Sequence, residues 1–290
     1  MRPTPKIEKV IAQLNKAATE SEKRHSVITR KETERMMSQI DVILSYYLNK
    51  AKELDGRVNI RHLLKPVNPT YKEEKLAEFD ELNKLEPQIK EFTPGSRDIK
   101  TELDMMHYEI LKAGMISSLS VAPKQIAEYT ALIGTLAAIA DDLNHYKITV
   151  SNKAITREIL TYTANVINYT NKLVDSKIIQ QQTPLEIQKY SEEEYKKRIE
   201  NSANRMTYTR DTFLINETLK ESPDKWYMFR TKEDSRVCSK CRELNAKVFK
   251  YGEAMTGTNY PPLHQNCRCV VIPIDMMENE NTDDNDNNNR

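Results

Sequence analysis

The sequence predicts an α+β protein in which long helices are followed by a small β-rich module. Two observations support this fold class. Of the 290 residues, 30% are charged, 38% are hydrophobic and only six are glycine, which suits long solvated helices better than a large sheet. After residue 222 the sequence changes to short runs of aromatic and β-branched residues separated by polar segments, a pattern typical of strands.

The first element, residues 1–56, is predicted to be a helical segment. Its apolar residues recur at spacings of three and four, the period of an amphipathic helix. They fall into two groups: Ile7, Val10, Ile11 and Leu14, then Ile40, Ile43, Leu44, Tyr47 and Leu48. Because charges are spread through the first 16 residues, no secretory signal peptide is expected here.

Residues 57–97 are predicted to form an irregular connection. The segment is charged and is interrupted by Pro66, Pro69, Pro87, Pro94 and Gly95, so only short helices fit between the breaks. The stretch TYKEEKLAEFDELNKL is the best candidate for such a helix.

Residues 98–222 are predicted to form a helical bundle region. Helical patterns appear in RDIKTELDMMHYEILKAGM, in KQIAEYTALIGTLAAIADDLNHYKITV and in SNKAITREILTYTANVINYTNKLVD, the last with Ser151 as its N-cap. The apolar run at 131–140 is too short to span a membrane and is interpreted as a buried helix face. A long polar helix with sparse apolar positions is expected from Thr183-Pro184 to about Lys220.

The β-rich module is placed at residues 223–275 and is called the β module below. Its predicted strands lie in WYMFR, AKVFKY and RCVVIPI. The remaining residues, 276–290, form an acidic, Asn-rich tail. From about Glu278 this tail has no hydrophobic residue to pack, so it is expected to be disordered.

The β module contains all four cysteines of the chain and one of the chain's five histidines, His264. Cys238-x-x-Cys241 has the spacing at which one tight turn presents two thiolates to a tetrahedral ion, and His264, Cys267 and Cys269 compete for the other two positions. A module of about 50 residues can bury only a small hydrophobic core, so it usually needs a metal ion or disulfides for stability. The five donors predict one structural zinc ion per chain, and an iron–sulfur cluster is the less favoured alternative.

Other interpretations of the cysteines stay open. Two disulfides or free thiols are the simplest, but nothing in the sequence indicates export to an oxidising compartment. A thioredoxin-like redox motif requires a βαβ setting that this segment lacks. His107-Tyr108-Glu109 matches half of a zinc deaminase signature, but Val237 stands where its proline belongs, so His107 is interpreted as an ordinary helix residue.

The β module resembles the C-terminal signature of the phage Mu F-like minor head proteins, also called the phage head morphogenesis family. The elements that carry the resemblance are Asp234 with Arg236, the Cys238–Cys241 pair before Leu244–Phe249, and the run Pro261–Cys269 before an apolar strand that ends at Pro273. A looser resemblance in the preceding helix involves Tyr208–Thr212 and Asn216. Together these features cover residues 204–274.

The resemblance implies a structural protein, not an enzyme, that is made in the host cytoplasm and enters the virion in the capsid interior or at the portal vertex. The portal protein and the major capsid or scaffolding protein are the implied partners, with assistance to DNA packaging or ejection as a further expectation. Packaged DNA is a candidate contact for the basic N-terminal region. No membrane and no small-molecule substrate are expected, and the sequence has no phosphate-binding loop or serine-nucleophile motif.

A zinc-dependent nucleic-acid-binding regulator is the alternative function. Basic residues surround the cysteines and are available to contact phosphates: Arg230, Lys232, Arg236, Lys240, Arg242, Lys247 and Lys250. Against this, the formal net charge is only +1, and aromatic residues for base stacking are not interleaved with the cluster. Binding to DNA that depends steeply on salt distinguishes this alternative.

Overall fold

A computed structural model describes residues 2–140, 151–220, 225–232, 234–274 and 277–278. The helices are α1 (Pro5–Lys50), α2 (Ile60–Leu63), α3 (Pro69–Leu85), α4 (Glu102–Ala140), α5 (Asn152–Ile179), α6 (Pro184–Thr218) and α7 (Ser239–Leu244). The strands are β1 (Arg2–Pro3), β2 (Trp226–Arg230), β3 (Val248–Lys250), β4 (Val270–Pro273) and β5 (Met277–Glu278). The predicted α+β class, with long helices before a small sheet, is confirmed.

The chain divides into two compact units. The helical unit comprises Ser26–Ile126 and Ser151–Ala203, and the terminal unit comprises Met1–His25, Ala127–Val150 and Asn204–Arg290. The unit boundaries fall inside α1, α4 and α6, which each contribute residues to both units. The division into five consecutive segments therefore stays a prediction.

The helical unit has an extensive hydrophobic core, to which α4 and α5 contribute Met106, Ile110, Leu160 and Ile167 among others. The helix α5 begins where the sequence predicts, because the Ser151 side chain accepts a hydrogen bond from Ala154 N at 3.3 Å. Gly114 allows a close approach of α4 to α5, since a Cβ there would lie 2.0 Å from Ile167 Cδ1. Packing between these helices is therefore tight.

Two expectations for α4 need correction. The first helical pattern of residues 98–222 and the second as far as Ala140 are one continuous helix with Pro123 inside it, although an internal proline removes one backbone hydrogen bond and crowds the preceding turn. Residues 141–150 of the second pattern lie outside the described residues. The run at 131–140 is not a wholly buried face: Leu132 and Leu136 are buried, whereas Thr135 and Ala137 are exposed. A stripe at spacing four buries only one side of a helix.

The other expected helices are observed. The stretch predicted within the irregular connection forms α3, and the long polar helix after Thr183 is α6. No helix in the described part of the chain is both long and apolar enough to cross a membrane.

The β module contains a three-stranded antiparallel sheet in the order β3-β2-β4, and all three strands lie within the predicted runs. Met228 faces Val248 on one side and Ile272 on the other, and Met228 and Ile272 pack with Ile11 of α1. Phe229, on the opposite face, packs with the cysteines. The sheet therefore supports the candidate site with one face and contacts α1 with the other.

A second, two-stranded sheet pairs β1 with β5, with Arg2 opposite Glu278 and Pro3 opposite Met277. Met277 and Glu278 belong to the segment that the sequence assigns to a disordered tail. The prediction for residues 279–290 lies outside the described residues.

Candidate metal centre

The first half of the candidate site is the turn that begins α7. Cys238 is the N-cap of this helix, and its Sγ accepts a hydrogen bond from Cys241 N at 3.4 Å. This backbone hydrogen bond lowers the pKa of the Cys238 thiol. One turn of chain thus presents two sulfurs on the same side, as the Cys-x-x-Cys spacing predicts.

The second half is the tight turn from His264 to Cys267. Cys267 N donates to His264 O at 3.2 Å, and Asn266 has a φ of 62°, a left-handed conformation that asparagine tolerates better than most residues. His264 Nδ1 lies 2.7 Å from Gln265 O. Because a carbonyl oxygen can only accept, Nδ1 carries the proton, and the lone pair of Nε2 is left for a ligand.

The two halves meet at Cys241. His264 Nε2 lies 3.2 Å from both Cys238 Sγ and Cys241 Sγ. The donors form two triplets that share Cys241, one with Cys238 and His264 and one with Cys267 and Cys269, and within each triplet the donor atoms lie within 4.8 Å of one another. The structure thus brings all five predicted donors together, whereas the choice of four ligands among them stays a prediction.

All four cysteines are free thiols in the structure, so it contains neither of the two disulfides of the alternative interpretation. Burial raises the pKa of the Cys241 thiol. A hydrogen bond from Cys269 lowers the pKa of Cys267, and the pKa of Cys269 is raised because its own S–H is the donor and because it is buried. Closely spaced buried thiols cannot all ionise without a counter-charge, which a cation supplies.

The donor set can hold a metal ion. Thiolates and a neutral imidazole are soft ligands of the kind that bind zinc. Cys241, Cys267 and Cys269 are buried, Cys238 is half-buried and His264 is exposed. The residues present therefore fit a closed tetrahedral site near the surface of the β module.

Helix α6 supplies hydrogen bonds to the Cys267–Cys269 backbone. Thr212 Oγ1 donates to Cys267 O, Asn216 Nδ2 donates to Cys269 O at 3.0 Å, and Asn216 Oδ1 accepts from Val271 N at 2.7 Å. The predicted strand RCVVIPI includes Cys269, but β4 begins only at Val270, so both cysteines precede the strand. The reason is that side chains of α6, not a neighbouring strand, occupy the backbone groups of this segment.

An ion pair joins the segment before Cys238 to the residue between the last two cysteines. Arg268 makes two hydrogen bonds of 2.7 Å to the carboxylate of Asp234, which also accepts from Arg236 N at 3.0 Å. The Arg268 hydrogen bond is the main cause that lowers the pKa of Asp234 to about 2. The resemblance includes Asp234, Arg236 and Arg268, but the pairing of Asp234 with Arg268 was not predicted, because no local pattern indicates a contact across 34 residues.

His107 lies on α4, where its Nε2 is 2.8 Å from Asp175 Oδ1 on α5. It is in neither of the two donor groups that the described residues contain. Its placement agrees with the interpretation of His107 as an ordinary helix residue.

The fold and the site define a class of protein: a largely helical chain with a small C-terminal sheet module that carries a Cys/His group able to hold a metal ion. Residues 168–272 match the family model described as Phage Mu protein F like protein. This match confirms the resemblance and extends it upstream, since it begins in α5, includes all of α6 and ends within β4. No curated protein and no solved structure matches the chain.

Proposed function

We propose that this chain is a structural protein of phage head assembly whose β module is held together by one zinc ion. The observation that carries the proposal is the convergence of five sulfur and nitrogen donors within a region that matches the Phage Mu F-like family. The chain acts in the virion, in the capsid interior or at the portal vertex. Its partners are the portal protein and the major capsid or scaffolding protein, and it assists DNA packaging or ejection.

Zinc is proposed because of the softness and the number of the donors. Five protein donors suffice to fill all four positions of a tetrahedral ion, and a closed zinc site has no open position for a reacting water. We therefore assign the ion a structural role. We assign Cys238, Cys241 and His264 as three ligands, and Cys267 or Cys269 as the fourth.

Metal analysis of the purified chain tests the zinc site. About one zinc per chain is expected, and X-ray absorption at the zinc edge should give three sulfur neighbours and one nitrogen neighbour. A chain that is folded but metal-free when purified in zinc-containing buffer contradicts the proposal. Four sulfur neighbours and no nitrogen would remove His264 from the ligand set but leave the zinc site intact.

Co-purification tests the assembly role. The chain is expected to bind the portal protein encoded with it and to sediment with procapsids. The matched control is the same chain carrying Leu185→Ala, since Leu185 is 76% exposed and lies outside the β module. Its capture should equal that of the unmodified chain. Absence of the chain from purified procapsids and virions contradicts the assignment to the head.

The nucleic-acid-binding alternative has less support. Several of the cations that it requires are engaged within the terminal unit: Arg236 lies 3.6 Å from the Asp234 carboxylate, Lys240 donates to Gly257 O, and Lys250 lies over the Trp226 ring. Such side chains are less available to phosphates. Duplex binding that weakens steeply with salt would favour this alternative over a head protein.

A further inference from the structure

The Cys267–Cys269 segment has an unusual source of backbone hydrogen bonds. These residues precede β4, and their two carbonyl groups accept from side chains of α6 instead of from a strand. Thr212 and Asn216, the two donors, are one helical turn apart on the same face of α6, and they are 7% and 0% exposed. Both side chains therefore point into the interior at the metal centre.

We infer that Thr212 and Asn216 are positioning residues of the metal centre, an inference that rests on the proposed zinc site. By holding the carbonyl groups of Cys267 and Cys269 and the N–H of Val271, they fix the backbone from which both thiols reach Cys241. Partners that orient metal ligands typically change metal affinity by about 10- to 100-fold when they are removed.

The C-terminal end of α6 and Leu219, the residue after it, accept hydrogen bonds in return. Tyr260 OH donates to Asn216 O at 2.6 Å, and Tyr251 OH donates to Leu219 O at 3.1 Å. These bonds satisfy carbonyl groups near the C-terminal end of α6, where a helix has no partners of its own for them. Hydrogen bonds thus run in both directions between the end of α6 and the β module.

A second observation independently associates α6 with the module. The family match does not start at the β module but includes the whole of α6. The stretch of sequence that matches the family therefore includes α6, the helix whose side chains hold the Cys267–Cys269 segment.

A purely structural role for these residues predicts lower stability without a specific effect on metal binding. Thr212→Val separates the two roles, because it removes the hydroxyl group but preserves the branched shape. Thr212→Ser restores the hydroxyl group. Thr218→Val is the matched control on the same helix, since Thr218 is equally buried but its hydroxyl group donates to Leu214 O of α6 itself.

The experiment measures zinc affinity by competition with a chromophoric chelator, and ligand geometry from the absorption spectrum of the cobalt-substituted chain. Thr212→Val and Asn216→Ala are expected to weaken zinc binding at least about 10-fold and to change the cobalt spectrum. Thr212→Ser is expected to change the zinc affinity of the unmodified chain by less than about 3-fold, well below the change of about 10- to 100-fold expected when a positioning partner is lost. Thr218→Val should leave both the affinity and the spectrum unchanged.

Two outcomes would overturn the inference without contradicting the proposed zinc site. One is zinc binding and a cobalt spectrum that are unchanged in both Thr212→Val and Asn216→Ala. The other is an equal loss of affinity in Thr218→Val, which would indicate general destabilisation. Failure of the unmodified chain to bind zinc is a different result, because it removes the proposed zinc site itself.

Discussion

The interior of the helical unit and the interior of the β module are stabilised in different ways. In the helical unit more than twenty buried side chains form one hydrophobic core, among them Ile40, Tyr47, Leu160 and Ile167. Around the candidate metal centre the buried cluster is Phe229, Leu263 and three cysteines. The first region has enough apolar surface to fold by burial, whereas we propose that the second is stabilised by an ion. Each prediction below perturbs one of these interiors.

Loss of the ion is expected to have the largest effect and to be confined to the β module. Cys241→Ser, which removes the sulfur that both donor triplets share, or treatment of the unmodified chain with a strong zinc chelator, should unfold residues 225–274, because binding of structural zinc contributes about 10 kcal/mol or more to the folding of such modules. Amide hydrogen exchange should show lost protection there and retained protection in α5.

The matched control is Met255→Ser, which removes an exposed sulfur from the same module. It should retain both zinc and protection. Full zinc content and unchanged exchange in Cys241→Ser would mean that the β module does not depend on that thiol, and would contradict its assignment as a ligand.

A cavity in the helical unit should have the next largest effect on stability. This effect should be confined to the helical unit. Leu160 is fully buried, so Leu160→Ala is expected to lower the free energy of unfolding of this unit by about 3 kcal/mol. Zinc content should not change. The control is Leu185→Ala, which alters an exposed side chain and should cost less than about 0.5 kcal/mol. Loss of zinc in Leu160→Ala would contradict the separation between the two interiors.

A buried carboxyl group makes the terminal unit sensitive to pH. Asp211 is 4% exposed, and its Oδ1 has no hydrogen-bond partner among the described residues. Burial, with a smaller contribution from Glu22, raises its pKa to about 8, although Arg210 and Arg24 oppose the shift. The folded state therefore binds more protons than the unfolded state between about pH 4 and pH 8, so stability is highest below this range and falls as the pH rises through it.

Asp211→Asn should remove this pH dependence and raise stability at pH 8 by roughly 2 kcal/mol. Thermal unfolding at pH 5 and pH 8 measures the effect. Glu193→Gln, which changes an exposed carboxylate on α6, should leave the dependence as it is. A variant Asp211→Asn with the same pH slope as the unmodified chain would show that this carboxyl group is not the cause.

The smallest predicted effect tests how closely the helical core is packed. Gly114→Ala puts a methyl group against Ile167, and the resulting strain should exceed the gain in helix propensity, with a net loss of about 1 kcal/mol. Gly134→Ala on the same helix meets nothing within 4 Å and should instead stabilise by about 0.5 kcal/mol. Chemical denaturation measures both. Equal stabilisation by the two substitutions would indicate a loosely packed helix contact.

The sequence predicted those features that depend on local chemistry. The three strands follow runs of aromatic and β-branched residues, Ser151 caps α5, and the cysteines and His264 lie in two donor triplets that share Cys241. The sequence did not predict features that depend on tertiary contacts. Pro123 remains inside α4, and Cys267 and Cys269 lie outside the sheet because α6 occupies their carbonyl groups. The pairing of Asp234 with Arg268 likewise has no local signal.

The donors of the candidate site differ in their access to solvent. Three sulfurs are nearly inaccessible, while Cys238 is half-buried and His264 is exposed. Competing chelators, alkylating reagents and oxidants therefore reach the centre first through the Cys238 and His264 side. Loss of the proposed zinc ion is therefore expected to begin with release from Cys238 and His264, and Cys238 should be the first of the four thiols to react.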